Sequence, residues 1–246
     1  MSGSAGVILL SAFALGALVK AVSGVGVPLV AVPVAALFTD FQDAVVTASI
    51  PSVLANGVLV YRERSHRPSR SGLGRLALFG ALGAIVGVAA FTALPSRLLA
   101  VGVVVVITAY VAAFFADLRP LISATRSRRW GPLVGTGAGA LHGATGLSGP
   151  VVQMWLHSHR LDPGVQVFSA ASIFLFMGSA QALLLTASGE MAERLGFAAL
   201  ASAVVAIMLP VGARWRERLS GRTFDLVVIG VLVASALALI VESVAH

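Results

Sequence analysis

The chain has 246 residues, of which 58% are hydrophobic and only 11% are charged, and its mean hydropathy is +0.96. Because a water-soluble domain carries about 25% charged residues, this composition excludes a soluble globular protein. The net charge is +7. The chain contains no cysteine, so disulfides, thiolate chemistry and cysteine metal sites are excluded. Most arginines lie in short segments between apolar stretches, where they set membrane orientation, so we expect a lipid bilayer and no nucleic acid as partner.

Apolar stretches of about 20 residues recur along the chain, which is the pattern of transmembrane α-helices. The short alternating segments of a membrane β-barrel are missing. In chain order, the first half contains a Gly/Pro-interrupted segment near 5–38 and spans near 43–61, 73–94 and 97–117. The second half contains an interrupted segment near 131–159 and spans near 164–187, 195–213 and 223–242.

The two halves resemble each other at a constant separation. Residues 24–28 (GVGVP) resemble residues 146–150 (GLSGP), which lie 122 positions later. The same separation aligns three further positions: Asp40 with Asp162, the Leu-Gly pair at 73–74 with that at 195–196, and Lys20 with His142. The chain is therefore predicted to be a duplication, with repeats 1–125 and 126–246, and the two aspartates are predicted to cap helices.

Charge predicts that the two repeats are inverted. Segment 62–75 holds five arginines and one glutamate, whereas its equivalent 188–196 holds two glutamates and one arginine. The next pair of loops reverses this: Arg97 stands alone, and its equivalent 214–222 holds four arginines. Basic loops face the cytoplasm, so equivalent loops lie on opposite sides. The basic linker around 119–129 then falls in the cytoplasm, and both termini fall outside, on the periplasmic face of the inner membrane.

The resulting fold prediction is an all-α polytopic membrane protein of two inverted repeats. Each repeat is a broken, re-entrant helical hairpin followed by three transmembrane helices. Non-helical backbone inside a membrane occurs only where protein buries it or it lines a cavity. Pro28 and Pro150 suit the first turn of a helix, so a half-helix is predicted after each break. Its amide-rich positive end suits an anion at the membrane midplane.

The candidate anion-binding residues surround the two breaks. Lys20, the only lysine, supplies a cation unless it extends to the interface, and His142 binds an anion or a coupling proton unless it is structural. The hydroxyl and amide side chains have a competing role in bonds to helix carbonyls or between helices. The full predicted set is Lys20, Ser23, Gly24, Gly26, Asn56, His142, Thr145, Gly146, Ser148 and Gly149. Gly83 and Gly87 are expected to serve helix packing instead.

The sequence gives no reason to expect catalysis or a cofactor. Residues 146–150 place a serine between glycines, but without the strand–turn–helix context of a nucleophile elbow. His157 and His159 lack a third ligand nearby, so no metal site is expected. The chain is therefore predicted to be no enzyme, with a small anion as its partner.

Two segments resemble a known family. Residues 23–51 (SGVGVPLVAVPVAALFTDFQDAVVTASIP) and 143–174 (GATGLSGPVVQMWLHSHRLDPGVQVFSAASIF) are similar to the two signature segments of the sulfite exporter TauE/SafE family, and the resemblance extends over essentially the whole chain. It implies transport across the inner membrane of small sulfur-containing oxyanions such as sulfite, sulfonates including sulfoacetate, or thiosulfate-like anions, and export is the direction that we expect. A channel-like anion pore, a transporter of another small organic anion and a non-transporting membrane partner are the alternatives. Substrate, direction, coupling ion and oligomeric state, with a homodimer as one option, stay open.

Overall fold

The computed structural model describes residues 3–24, 26–68, 73–116, 124–159 and 161–216, and single positions at 230, 233, 234, 236 and 237. Within these residues every regular element is helical. Up to residue 216 the described residues form nine α-helices: α1 Gly3–Ser23, α2 Val27–Ala36, α3 Phe41–Arg62, α4 Leu73–Ala93, α5 Ser96–Phe115, α6 Ala124–Thr145, α7 Gly149–His157, α8 Pro163–Ala187 and α9 Leu195–Arg216. Short 3-10 turns lie at Arg64–His66 and Ala192–Arg194.

Five described segments are long and apolar enough to cross a membrane: α1, α3, α4, α8 and the segment Ala192–Trp215. The prediction of an all-α polytopic membrane protein is therefore confirmed. The predicted span at 223–242 lies almost entirely outside the described residues, as do Arg119 and both chain ends. One boundary is wrong, since α6 begins at Ala124 rather than near residue 131. Arginine is a good helix former, so the helix includes the basic segment that precedes the apolar stretch.

Helix α4 shows how the bundle packs and what surrounds it. Gly83 and Gly87 face α6 so closely that a Cβ atom on either would collide with the backbone at Thr136 or Ala140. This confirms their predicted packing role, which small residues commonly have in membrane bundles. Large apolar side chains of the same helix are exposed, among them Leu78, Leu82, Ile85 and Val86. Small residues inside and large apolar residues outside are the arrangement expected of a helix that faces lipid.

The turn before α3 is fixed by hydrogen bonds. Asp40 is the N-cap residue of α3, and its Oδ1 accepts from the amide of Gln42 at 2.9 Å, as predicted. Ser96 at the start of α5 donates to the same carboxylate at 2.5 Å. Asp162 holds the equivalent N-cap position of α8 but makes no capping hydrogen bond with its side chain. The position of this second cap was therefore predicted correctly, and its hydrogen bond was not.

The helix bounds repeat along the chain. Helices α6, α7, α8 and α9 each begin within one residue of a position 122 residues after the start of α1, α2, α3 and α4. The packing repeats with the halves exchanged, because α1 packs on α9 and α6 packs on α4. These bounds support the predicted duplication.

Equivalent helices α3 and α8 run in opposite directions. His66, just beyond the C-terminal end of α3, covers Gly164 in the first turn of α8. Asp43, in the first turn of α3, forms an ion pair with Arg194, which follows the C-terminal end of α8. The antiparallel arrangement supports the predicted inversion of the halves. The inversion itself and the repeat boundaries at 1–125 and 126–246 stay predictions.

Candidate functional site

The helices are interrupted at both predicted positions, and in the same way. Gly24 follows α1 with φ +76° and Gly146 follows α6 with φ +70°, a left-handed conformation in which glycine avoids the strain of a Cβ atom. The amide of Gly24 donates to the carbonyl of Lys20 at 2.7 Å, and the amide of Gly146 donates to that of His142 at 2.6 Å. Each break therefore begins as a tight turn that closes on the residue four positions earlier.

After the first turn the chain folds back on α1. Gly26 packs against the amide of Lys20 and the carbonyl of Gly16, where a Cβ atom would lie 2.8 and 3.0 Å away. Pro28 and Pro150 occupy the first turns of α2 and α7, as predicted. These first turns need no amide hydrogen from proline. The first turns of the two short helices therefore lie beside the C-terminal ends of α1 and α6. We call these two helix ends, together with Gly24 and Gly146, the tips.

Each tip docks on the long helix of the other half. A Cβ atom on Gly24 would lie 3.4 Å from Cα of Val167 in α8, and one on Gly146 would lie 3.9 Å from Cγ1 of Val45 in α3. Val45 and Val167 are themselves 122 residues apart. The two tips are thus held side by side, between α3 and α8.

A cavity opens between the tips, and we call it the tip cavity. It holds about 320 Å³ of space free of protein atoms, counted together with its mouth. Its walls come from α1, α2, α3, α6, α7, α8 and the second break, through Lys20, Gly26, Pro28, Leu29, Ser52, Asn56, His142, Gly146, Leu147, Gly149 and Phe174. Ser52 and Phe174 lie near the middle of α3 and α8, so the tip cavity lies at mid-height of two long apolar helices.

Lys20 is buried in the wall of the tip cavity, with 2% of its surface exposed. Its Nζ donates to the carbonyl of Gly24 at 3.1 Å and lies 5.5 Å from the centre of the Phe174 ring. Among the described residues no carboxylate forms an ion pair with it. The alternative in which Lys20 extends to the membrane surface does not hold, because its side chain ends at the tip.

His142 occupies the equivalent place in the second half, with 3% of its surface exposed. Its Nδ1 lies 3.1 Å from Oγ of Ser148, and its ring centre lies 5.8 Å from that of Phe174. Gln181 in α8 donates to the carbonyls of His142 and Gly143 at 2.9 and 3.1 Å. Phe174 therefore contacts both basic side chains, and the imidazole is oriented by the serine of the second break.

The family model described as Sulfite exporter TauE/SafE matches residues 8–239. The chain belongs to this family. The resemblance of the two signature segments is thereby confirmed, and the chain is a multi-pass membrane protein of a transporter family. No curated protein and no solved structure matches the chain.

In this TauE/SafE member the tip cavity gathers part of the predicted set. Six members line it: Lys20, Gly26, Asn56, His142, Gly146 and Gly149. Four members are outside its lining and hold the turns: Ser23, Gly24, Thr145 and Ser148. The hydroxyls of Ser23 and Thr145 donate to the carbonyls of Val19 and Leu141 at 2.8 and 2.7 Å, the competing role foreseen for them. Substrate binding by the set as a whole stays a prediction.

Sequence reasoning missed four lining residues: Leu29, Ser52, Leu147 and Phe174. Ser52 and Phe174 are 122 residues apart, so the repeat relates one to the other. Ser52 also lies one helical turn before Asn56, on the same face of α3. This relation to Asn56 could have identified Ser52, whereas an apolar phenylalanine in an apolar span gave no indication of its place.

Two consecutive hydrogen bonds connect the first tip, at the C-terminal end of α1, to α7 and α8 in the second half of the protein. Gln153 in α7 donates through Nε2 to the carbonyl of Ser23 at 2.8 Å. Gln166 in α8 donates to Oε1 of the same glutamine at 2.9 Å. Because Gln153 is 4% exposed, its bond to Ser23 is buried and fixes the end of α1 against the opposite half.

Proposed function

We propose that the protein is a secondary transporter that moves small sulfur-containing oxyanions, of the sulfite, sulfonate or sulfoacetate type, across the inner membrane in the export direction. The tip cavity is the anion site. The family supports the class of substrate, and the observation that carries the site is the buried ammonium of Lys20 without a carboxylate partner among the described residues.

The energetics of Lys20 favour an anionic guest. A lysine at the centre of a membrane helix costs about 2.5–3.5 kcal/mol on insertion scales, and buried charges in proteins are normally paired. One carbonyl and one aromatic ring use only part of the donor capacity of the ammonium. A negative charge about 4 Å away contributes about 4 kcal/mol at an effective dielectric constant of about 20. A bound anion therefore supplies the missing partner.

The short helices α2 and α7 add to this field. Gly26 and Gly149 lie at their N-terminal ends and line the tip cavity. The first amides of a helix have no acceptor within it, and each N-terminus stabilises a negative charge by roughly 0.3–2 kcal/mol. Two such ends beside one lysine form the arrangement in which broken helices hold anionic groups in transporters.

Transport by alternating access follows if the two halves are inverted copies. Each tip docks on a long helix of the other half, so rocking of one half moves both walls of the tip cavity. Equivalent motions of inverted halves expose the cavity first to one side and then to the other. The predicted orientation, with both termini periplasmic, belongs to this proposal, and a homodimer remains one option for its assembly.

The test is flux into liposomes that contain the purified protein. Wild-type protein should move sulfite or a small sulfonate above the rate of protein-free liposomes, and the same anion on the opposite side should accelerate exchange. A channel-like pore shows no such acceleration. Lys20→Met should abolish the flux, while Arg97→Met, which removes an exposed positive charge far from the tip cavity, should not. No flux of any sulfur oxyanion by wild-type protein would reject the proposed function.

A further inference from the structure

The imidazole of His142 has one nitrogen in a hydrogen bond and one that is open. Its Nδ1 lies 3.1 Å from Oγ of Ser148. Its Nε2 has no hydrogen-bond partner among the described residues, yet it is not sealed from free space. Nε2 faces α8 at Gly178, where a Cβ atom would lie 3.5 Å away. Because glycine has no side chain to cover this nitrogen and His142 lines the tip cavity, a proton can reach the ring.

The hydroxyl of Ser148 suits either charge state of the imidazole. A neutral histidine has one N–H donor and one acceptor nitrogen, whereas a protonated histidine has two N–H donors. A serine hydroxyl can donate to Nδ1 or accept from it. The hydrogen bond between the two side chains therefore persists when His142 gains a proton.

Lys20 is the ionisable side chain that shares the tip cavity with His142. Both contact the ring of Phe174. Helix α8 contains no ionisable residue, and in α3, α4, α5, α6 and α7 the other described charged or histidine side chains lie near helix ends: Asp43, Arg62, Arg75, Arg97, Arg129 and His157. In the empty cavity, a proton on His142 would therefore add a second positive charge away from water with no negative partner, which is disfavoured.

We propose that His142 is the proton site of the tip cavity: it binds a proton when the guest is a dianion and stays neutral when the guest is a monoanion. The inference rests on the proposed function and assigns the charge state of its guest. A monoanion balances the ammonium of Lys20 alone. A dianion leaves a second negative charge in the membrane interior, where unpaired charge is costly, and a proton on His142 balances it.

The consequence for transport is a constant charge. A monoanion alone and a dianion with its proton each carry one net negative charge, while the ammonium of Lys20 stays with the protein. The tip cavity therefore accepts the sulfite dianion as well as the hydrogen sulfite ion, and the dianion takes up a proton on His142 as it binds.

Proton uptake on binding of two anions tests the inference. Sulfate is a dianion and methanesulfonate a monoanion, and neither changes its charge near neutral pH. Calorimetry of purified protein in buffers of different ionisation enthalpy gives the number of protons taken up with each anion. We expect about one proton with sulfate and almost none with methanesulfonate. Because anion and proton promote each other's binding equally, Kd for sulfate should fall by up to about tenfold per pH unit as the pH is lowered from about 8 to 5.

Two variants locate the proton. In His142→Gln, which keeps a polar side chain that does not titrate, the proton uptake with sulfate should be lost. In Lys20→Arg, whose guanidinium stays charged, the uptake with sulfate should persist because His142 is intact. The opposite pattern, with uptake kept in His142→Gln and lost in Lys20→Arg, would make Lys20 the proton site and overturn the inference.

The wild-type measurements decide even if a variant does not fold. Equal proton uptake with the two anions, or none with sulfate, would overturn the inference and leave the proposed function intact. Binding of methanesulfonate without binding of sulfate at any pH between about 5 and 8 would do the same. Binding of neither anion, nor of sulfite, would overturn both the inference and the anion site on which it rests.

Discussion

Replacing Lys20 by methionine separates a binding lysine from a structural one. The substitution keeps an unbranched side chain of similar length and removes the ammonium. In the empty protein, the cost of a buried lysine, about 2.5–3.5 kcal/mol, is opposed by one hydrogen bond from a charged group, about 1.5–3 kcal/mol, and by a cation–π contact of about 0.5–2 kcal/mol. The hydrogen bond to Gly24 and the contact with Phe174 are both present. These contributions largely cancel, so we expect unfolding of the empty variant to resemble that of wild type.

Anion binding by the same variant should fall steeply. Removing one partner of a buried charge pair costs about 2–5 kcal/mol, which raises Kd for the anion by roughly 30- to several-thousand-fold. At an anion concentration 100 times the wild-type Kd, bound anion stabilises wild-type protein by about 2.7 kcal/mol, and in the variant this stabilisation should fall to about 0.9 kcal/mol or less.

Calorimetry and thermal unfolding, each with and without sulfite, measure these two quantities. Lys20→Arg is the control that keeps the charge on a bulkier group, and it should bind more weakly than wild type but more tightly than Lys20→Met. The reasoning is refuted if Lys20→Met binds sulfite with the wild-type Kd. It is also refuted if the variant loses several kcal/mol of stability in the absence of any anion, since the lysine then serves the fold.

Three further substitutions test how the site is held. Gly139→Ala should lower the thermal unfolding temperature sharply, because a Cβ atom there collides with the backbone of α4. The control Gly137→Ala, whose Cβ atom meets open space, should leave the temperature nearly unchanged. Equal unfolding temperatures of the two variants would contradict the packing role of Gly139. Gly24→Ala should lower the free energy of unfolding by about 1–2 kcal/mol, because its φ is left-handed. The loss should be larger than that of Gly146→Ala, whose surroundings are less crowded. If chemical unfolding shows the larger loss for Gly146→Ala, the docking of the tips is contradicted. Gln153→Leu should cost about 1–3 kcal/mol and speed amide exchange at the first break; unchanged stability and exchange rule out its tie to α1.

The repeat carried most of what the sequence could predict. A separation of 122 residues aligned both breaks, and the structure shows the left-handed glycine of each break at that separation. Glycine and proline leave a strong local mark because they change the backbone itself. The positions of the helix breaks, and of Pro28 and Pro150 after them, were therefore readable without any tertiary information.

The lining residues of the tip cavity were harder to predict from the sequence, because they depend on which faces of helices distant in sequence pack together. Ser23 and Thr145 lie beside the breaks in sequence, yet their hydroxyls turn to helix carbonyls. Phe174 lies far from either break in sequence and contacts both Lys20 and His142. A hydroxyl near a break has an internal acceptor within reach, and only the packing of α8 against both tips decides that an apolar ring completes the wall.

The most direct test is to locate an anion by the anomalous scattering of selenium in crystals of the protein grown with selenite. Selenite has the shape and charge chemistry of sulfite, and selenium identifies its own position. The account predicts one strong peak in the tip cavity, with an oxygen about 2.7–3.2 Å from Nζ of Lys20. An empty tip cavity beside a selenite bound elsewhere in the membrane-spanning region would contradict it.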